Sequence, residues 1–216
     1  MTKVLNSYDT IIVLEDDLVV SSNFLSFMNQ CLSVYNSFPE VLSISGYTVP
    51  IQIPKDYSFD VYAFPRVSSH GWATWRGKWA GIDWEVKDFQ EFKQSAANRR
   101  DFRSNGSDLY RMLNRQMAGK IDSWAIRWQY HLYKYQLYTI YPTVSKIENI
   151  GFGSDATHTR GFNRFKTTLD KNNDLDFSLL QAVKPDENIY NQFIDFYSVR
   201  SRGIAKVKQL LTKVFD

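Results

Sequence analysis

Thr10-Ile11-Ile12-Val13-Leu14-Glu15-Asp16-Asp17 is the stretch on which the fold turns: a short, mostly β-branched apolar run leads straight into three consecutive carboxylates. A continuous apolar run of this length reads as a buried strand of a parallel sheet. Ser21, Ser22 and Asn23 follow with N-cap chemistry and predict a helix over residues 23–36, closed by Pro39. Val41-Leu42-Ser43-Ile44-Ser45, ending at Gly46, is a second strand. Residues 10–46 therefore read strand, acidic loop, helix, strand, which is a βαβ unit, and the expected class is α/β.

Outward from this unit, Val61 to Phe64 and Tyr138 to Pro142 are further strands. Ser68 to Trp75 reads as an aromatic loop containing Gly71, and Asp88 to Ala118 as helical with a break at Ser104-Asn105-Gly106. Trp124 to Tyr138 reads as one long aromatic helix, and Asn149 to Gly161 as a Gly-rich polar loop. Residues 163–199 show no clear pattern.

The 216 residues are 44% hydrophobic and 23% charged, which excludes disordered and low-complexity classes. The single cysteine excludes an intrachain disulfide framework and any multi-cysteine zinc site. Cys31 shares a helical face with Phe24, Phe27 and Tyr35, so it reads as an inert core thiol. No run approaches the roughly 20 apolar residues that span a bilayer, and the expected location is cytoplasmic. Residues 200–216 hold five Lys and Arg against Asp216, a local +4, so the net +3 of the chain leaves a body of −1. That balance argues against nucleic-acid binding. Ile204, Val207, Leu210, Leu211, Val214 and Phe215 form an apolar helical stripe among those cations. Two readings of this tail stand: peripheral contact with the inner face of a membrane, or docking on the domain or a partner.

Three adjacent carboxylates at a strand end repel one another, and the carboxyl ends of strands are where open α/β sheets bind ligands. A hard divalent cation would relieve the repulsion and bridge to a diphosphate. The alternative is a solvated acidic turn that caps the next helix.

Ile11 to Leu18 followed by Ser22-Asn23-Phe24 resembles the acidic metal-binding segment of GT-A fold glycosyltransferases. The most similar group includes the eukaryotic N-acetylglucosaminyltransferase I and bacterial sugar transferases of polysaccharide clusters. The resemblance continues through Ser69-His70-Gly71-Trp72-Ala73-Thr74-Trp75, Asp122-Ser123-Trp124, and Gly151-Phe152-Gly153-Ser154 up to His158, and covers residues 8–160. It implies a partial GT-A, Rossmann-like fold with a mixed sheet and flanking helices. It also implies inverting, metal-dependent transfer from a nucleotide-sugar donor to a saccharide or lipid-linked hydroxyl. On the same basis Asp17 would coordinate Mn²⁺ or Mg²⁺, while Glu15 and Asp16 face the donor sugar and ribose. His158 and Arg160 would lie in a loop that orders over the donor phosphates; a solvated surface loop is the other reading.

Aromatic faces suit the C–H faces of sugars. Trp75, Trp79 and Trp128 nevertheless read as core by their helical spacing, and Trp72, beside Gly71, as lining the donor site. Asp122 is the acid in the Asp-X-Trp setting that supplies the general base of the similar inverting enzymes; its plainer role is an N-cap. Where the eukaryotic relative has a second acid, this chain has Ser123. The resemblance also places several strands and helices before the acidic segment, holding most of the nucleobase pocket, whereas one strand precedes it here. Residues 1–160 are thus expected to be the later portion of a catalytic domain, 161–199 an extension and 200–216 a basic helical tail. On that expectation the coding frame is truncated or split, the chain is a fragment, or a partner polypeptide supplies the first half, and the isolated chain binds nucleotide-sugar weakly or not at all. A non-catalytic, carbohydrate-binding remnant or partner subunit is the alternative function.

Overall fold

The computed structural model describes residues 1–151 and 163–215, the side chains of 210–215 excepted. In chain order its elements are α1 (Thr2–Leu5), β1 (Thr10–Val13), β2 (Leu18–Val20), α2 (Phe24–Tyr35), β3 (Val41–Ser45), β4 (Val61–Phe64), β5 (Trp72–Trp75), α3 (Arg76–Ala80), α4 (Phe89–Gln94), α5 (Ala96–Ser104), α6 (Leu109–Met117), α7 (Trp124–Lys134), β6 (Tyr138–Pro142), β7 (Ile147–Asn149), α8 (Glu187–Phe196) and α9 (Val199–Phe215). Five strands form one mixed sheet in the order β1-β5-β3-β6-β4, and β2 pairs with β7 in a separate ribbon. β3 and β6 are parallel, whereas β5 is antiparallel to both β1 and β3, and β4 to β6. This is an α/β fold with a mixed sheet and flanking helices, broadly Rossmann-like.

Side-chain alternation along the strands divides the core into two faces. Ile12, Ala73 and Trp75 join the cluster built with α2, α8 and Leu179-Leu180; Ile11, Val13 and Trp72 join Trp79 and Trp128 on the other face. In β3 both Val41 and Ile44 face α2, which a strict period of two forbids. A bulge explains it: two steps from Val41 to Ser43 match one step from Tyr138 to Thr139, which leaves Leu42 free to enter the opposite cluster. A third cluster ties α4, α5 and α6 to α7 through Phe89, Phe92, Phe102, Leu113 and Tyr130.

Several elements differ from the sequence reading. Thr10–Val13 is not a fully buried parallel strand. It is an edge strand with β5 as its neighbour, Ile11 to Val13 are half-buried and Leu14 is exposed. The βαβ unit is opened by β5, which inserts between β1 and β3. Residues 72–75 are that strand rather than loop, in keeping with the strand preference of Trp and Thr. α7 stops at Lys134 because Gln136 takes a left-handed φ of 53°, which turns the chain into β6. The unpatterned residues 163–199 contain α8, whose Ile189 and Phe193 are buried; Phe193 stacks on Phe64 with ring centroids 3.7 Å apart.

α2 buries the face expected of it, including Cys31, whose thiol burial pushes far above its ordinary value. Its N-cap residue, Asn23, does not cap. The Asn23 amide donates to Asp170 Oδ2 at 3.1 Å and accepts from Ser21 Oγ at 2.8 Å. Asp170 also pairs with Lys146, and both side chains are 5% exposed. Burial works to raise the Asp170 carboxyl, but the bonds from Lys146, the Asn172 N–H and Asn23 outweigh it and hold the group below the usual carboxylate range. A depressed folded-state value gives stability that is present above about pH 4 and lost as pH falls through that value. Asp170→Asn should therefore cost about 3–5 kcal/mol in urea unfolding at neutral pH, with the gap to the parent closing in acid. Replacing the pair together, Lys146→Met with Asp170→Leu, should cost less than Asp170→Asn alone.

Candidate functional site

β1 ends at Val13, and the chain turns through Leu14 to Asp17 before β2 begins. Glu15 and Asp16 are exposed at the tip of this turn, while Asp17 folds inward and is half-buried. Asp17 Oδ2 accepts from Asn149 Nδ2 at 3.0 Å, and its carbonyl accepts from the Ile150 N–H at 3.0 Å. Asp17 Oδ1 is buried and has no hydrogen-bond partner among the described residues. Such an atom is costly to leave unpaired, and a cation would relieve it.

Gly151 completes the cradle. A Cβ there would lie 2.6 Å from Asp17 Oδ2, so any larger residue would push the Asp17 carboxylate aside. Gly71 packs against Ile147, at the start of β7. It has a φ of 54°, its carbonyl accepts from the Gly46 N–H at 2.6 Å, and a Cβ on it would touch Ile147 and, at 3.3 Å, Leu14. Asp17 and Gly71, chosen from separate stretches of sequence, are thus joined through Leu14, Ile147 and the β2–β7 ribbon.

Beside Gly71 lies a cavity of about 250 Å³ whose lining includes Ser68, Ser69, His70, Tyr47, Ala125 and Gln129. Its walls are pinned by groups that sequence reasoning did not single out. Gln129, 1% exposed on α7, accepts from the Val67 N–H at 2.8 Å and donates to the Pro65 carbonyl at 3.2 Å. Arg66 makes a two-pronged contact with Asp108 at 2.8 and 3.2 Å and lies 3.7 Å over the Tyr197 ring. Burial works to raise the Asp108 carboxyl, but the Arg66 guanidinium wins and holds it below its ordinary range. The available signal for Gln129 was a lone amide between Trp128 and Tyr130 in an aromatic-rich helix.

Other expected site residues fall elsewhere. Trp72 does not line an open site: it is 1% exposed, packed against Trp128, Trp124 and Trp79 at centroid distances of 4.6, 5.5 and 5.6 Å. Five indole rings gather there because β5, α3, α7 and, with Trp84, the loop after α3 present them to one face of the sheet; of the tryptophans expected in the core, Trp75, Trp79 and Trp128 are buried. Asp122 is one residue short of the N-cap position, which Ser123 occupies. Its side chain is 99% exposed, with Arg127 at 4.0 Å, and α7 beyond it supplies Ala125 and Ile126 to the cavity wall. His158 and Arg160 lie outside the described residues. Among the described residues no three His, Cys, Asp or Glu side chains converge as a closed metal cage. No described helix is long and apolar enough to cross a membrane.

Compared with known proteins, the chain matches no family model, and no curated protein matches it. The site's own geometry yields a test. Gly151→Ala should destabilise by at most about 1 kcal/mol in chemical unfolding, because the added methyl makes the half-buried Asp17 carboxylate swing aside. Gly77→Ala, in α3 with nothing within 4 Å, should instead stabilise by up to about 1 kcal/mol.

Proposed function

We propose that this chain carries the catalytic residues of a metal-dependent, inverting glycosyltransferase. The reaction moves a sugar from a nucleotide-sugar donor to a saccharide or lipid-linked hydroxyl. The observation that carries the reading is the buried, unpaired Oδ1 of Asp17 at the carboxyl end of β1, in a cradle that Asn149 and Gly151 leave open. The GT-A resemblance of the four segments supports it.

The donor set fits Mn²⁺ or Mg²⁺. A hard carboxylate oxygen without a competing donor suits such an ion, which commonly takes one or two protein carboxylates and completes its shell with substrate phosphates and water. Asp17 would hold it, with Glu15 and Asp16 close by on the same turn. When bound, the ion supplies positive charge against the departing nucleoside diphosphate.

The chain's own residues account for the rest. Glu15 and Asp16, exposed on the turn, are free to accept hydrogen bonds from donor hydroxyls. Asp122 is the general base: its carboxylate takes the proton of the acceptor hydroxyl as that oxygen attacks the anomeric carbon. Attack opposite the leaving diphosphate inverts the configuration. The exposure of Asp122 leaves room for an acceptor, and the Arg127 guanidinium lies 4.0 Å from its carboxylate.

One observation favours a second reading, a saccharide-binding module without transfer. The Asp122 carboxylate is aimed by a 4.0 Å ion contact rather than by a hydrogen bond among the described residues. Calorimetry and turnover assays with Mn²⁺ and nucleotide-sugars separate the two. Asp17→Asn should abolish metal-dependent donor binding. Asp122→Asn should keep donor binding and lower transfer by about 10²–10⁴-fold. Saccharide binding without metal dependence or turnover would establish the second reading and remove the first.

A further inference from the structure

α9 meets the body of the protein with the wrong face for a helix folded back on its own domain. Between residues 199 and 209 the half-buried positions are Ser201, Arg202, Ala205 and Gln209, spaced i, i+1, i+4 and i+8 on one narrow face. That inward face is small and polar, and Arg202 Nη1 donates from it to Ser107 Oγ at 3.1 Å. The apolar residues point the other way: Val199, Ile204 and Val207 are 75%, 49% and 56% exposed. A helix that ended its docking here would bury the isoleucine and valine and leave serine and glutamine in water.

The same outward surface is cationic. Arg200, Lys206 and Lys208 are exposed beside Ile204 and Val207, and Val199–Phe215 contains no Asp or Glu. The whole positive excess of the chain is gathered on this helix. Charge decides among candidate occupants. Two copies packed through this face about a two-fold axis would bring like charges together around the apolar strip, which costs free energy. An anionic bilayer surface satisfies both components at once, taking the apolar side chains into the acyl boundary and the cations at phosphate level.

We propose that α9 is a peripheral membrane-binding helix that lies in the headgroup plane of an anionic bilayer, with Val199, Ile204 and Val207 facing the lipid and Arg200 and Lys206 pairing with its phosphates. The inference rests on α9 alone and not on the transfer reaction. Its fate is therefore separable from that of the proposed activity.

The test is co-sedimentation of the full chain with two vesicle types: phosphatidylcholine alone, and phosphatidylcholine with a third phosphatidylglycerol. Binding should require the anionic lipid and weaken at high salt. Arg200→Gln and Lys206→Gln should each lower the partition coefficient by about fivefold. The pair Ile204→Glu and Val207→Glu should abolish binding even at low salt while leaving the thermal unfolding transition in place, since both positions are exposed. Equal partition into neutral and anionic vesicles, no partition at all, or retention by the double glutamate variant would each overturn the proposal. So would a dimer in sedimentation equilibrium that the same double variant dissociates, which would assign the face to a second copy.

Discussion

The backbone of residues 145–151 crosses the carboxyl ends of β1 and β3, and the arrangement of the candidate site depends on how it is held there. The Lys146 N–H donates to the Gly46 carbonyl at 2.8 Å, and the Lys146 carbonyl accepts from Ser21 at 2.9 Å. The Lys146 side chain is anchored to buried Asp170, itself bonded to Asn23 at the head of α2. A buried ion pair is seldom a large net source of stability, because both ions lose their hydration. Breaking it is another matter: either charge left alone would be buried without a partner. The pair therefore acts as a constraint on register. It fixes Ile147 under Gly71 and places Asn149 and Gly151 against Asp17.

The aromatic content serves this arrangement from behind. The cluster of Trp72, Trp79, Trp84, Trp124 and Trp128 fills one face of the sheet, and its contact with β5 sets where Gly71 begins the turn toward Leu14. Gln129, on the same helix as Trp128, holds the backbone at Pro65 and Val67. Arg66, between those two residues, ties the same segment to Asp108 at the head of α6 and to Tyr197. A chain rich in indoles thus uses most of them as scaffold rather than as sugar-stacking surface. Large apolar rings are worth more buried against one another than exposed singly at a site.

Much of the fold was legible in local pattern. The helical face of Phe24, Phe27, Cys31 and Tyr35, the strands at 41–45, 61–64 and 138–142, and the helical stretch broken near Gly106 stand where the sequence puts them. The misreadings share a cause. Trp72–Trp75 has strand composition, but its neighbour Gly71 and the absence of a turn signal before Arg76 hid it. Its place between β1 and β3 is set by long-range pairing that no local pattern encodes. β1 read as buried because an apolar run looks alike at the centre and at the edge of a sheet. Residues 163–186 contribute Leu179 and Leu180 from irregular backbone, where there is no period to detect.

At the candidate site, the acidic trio stands out by its residue types directly after an apolar strand, and Gly71 through the GT-A resemblance of its segment. Sequence also determined α9 as a cationic amphipathic helix, since charge and helical spacing are local properties. Only the tertiary structure decided which acid of the trio turns inward, that Gly151 lies against its carboxylate, and that Trp72 is core. It alone showed that α9 turns Val199, Ile204 and Val207 outward. Those outcomes depend on which atoms approach from distant parts of the chain, and burial and hydrogen bonding are settled by that approach.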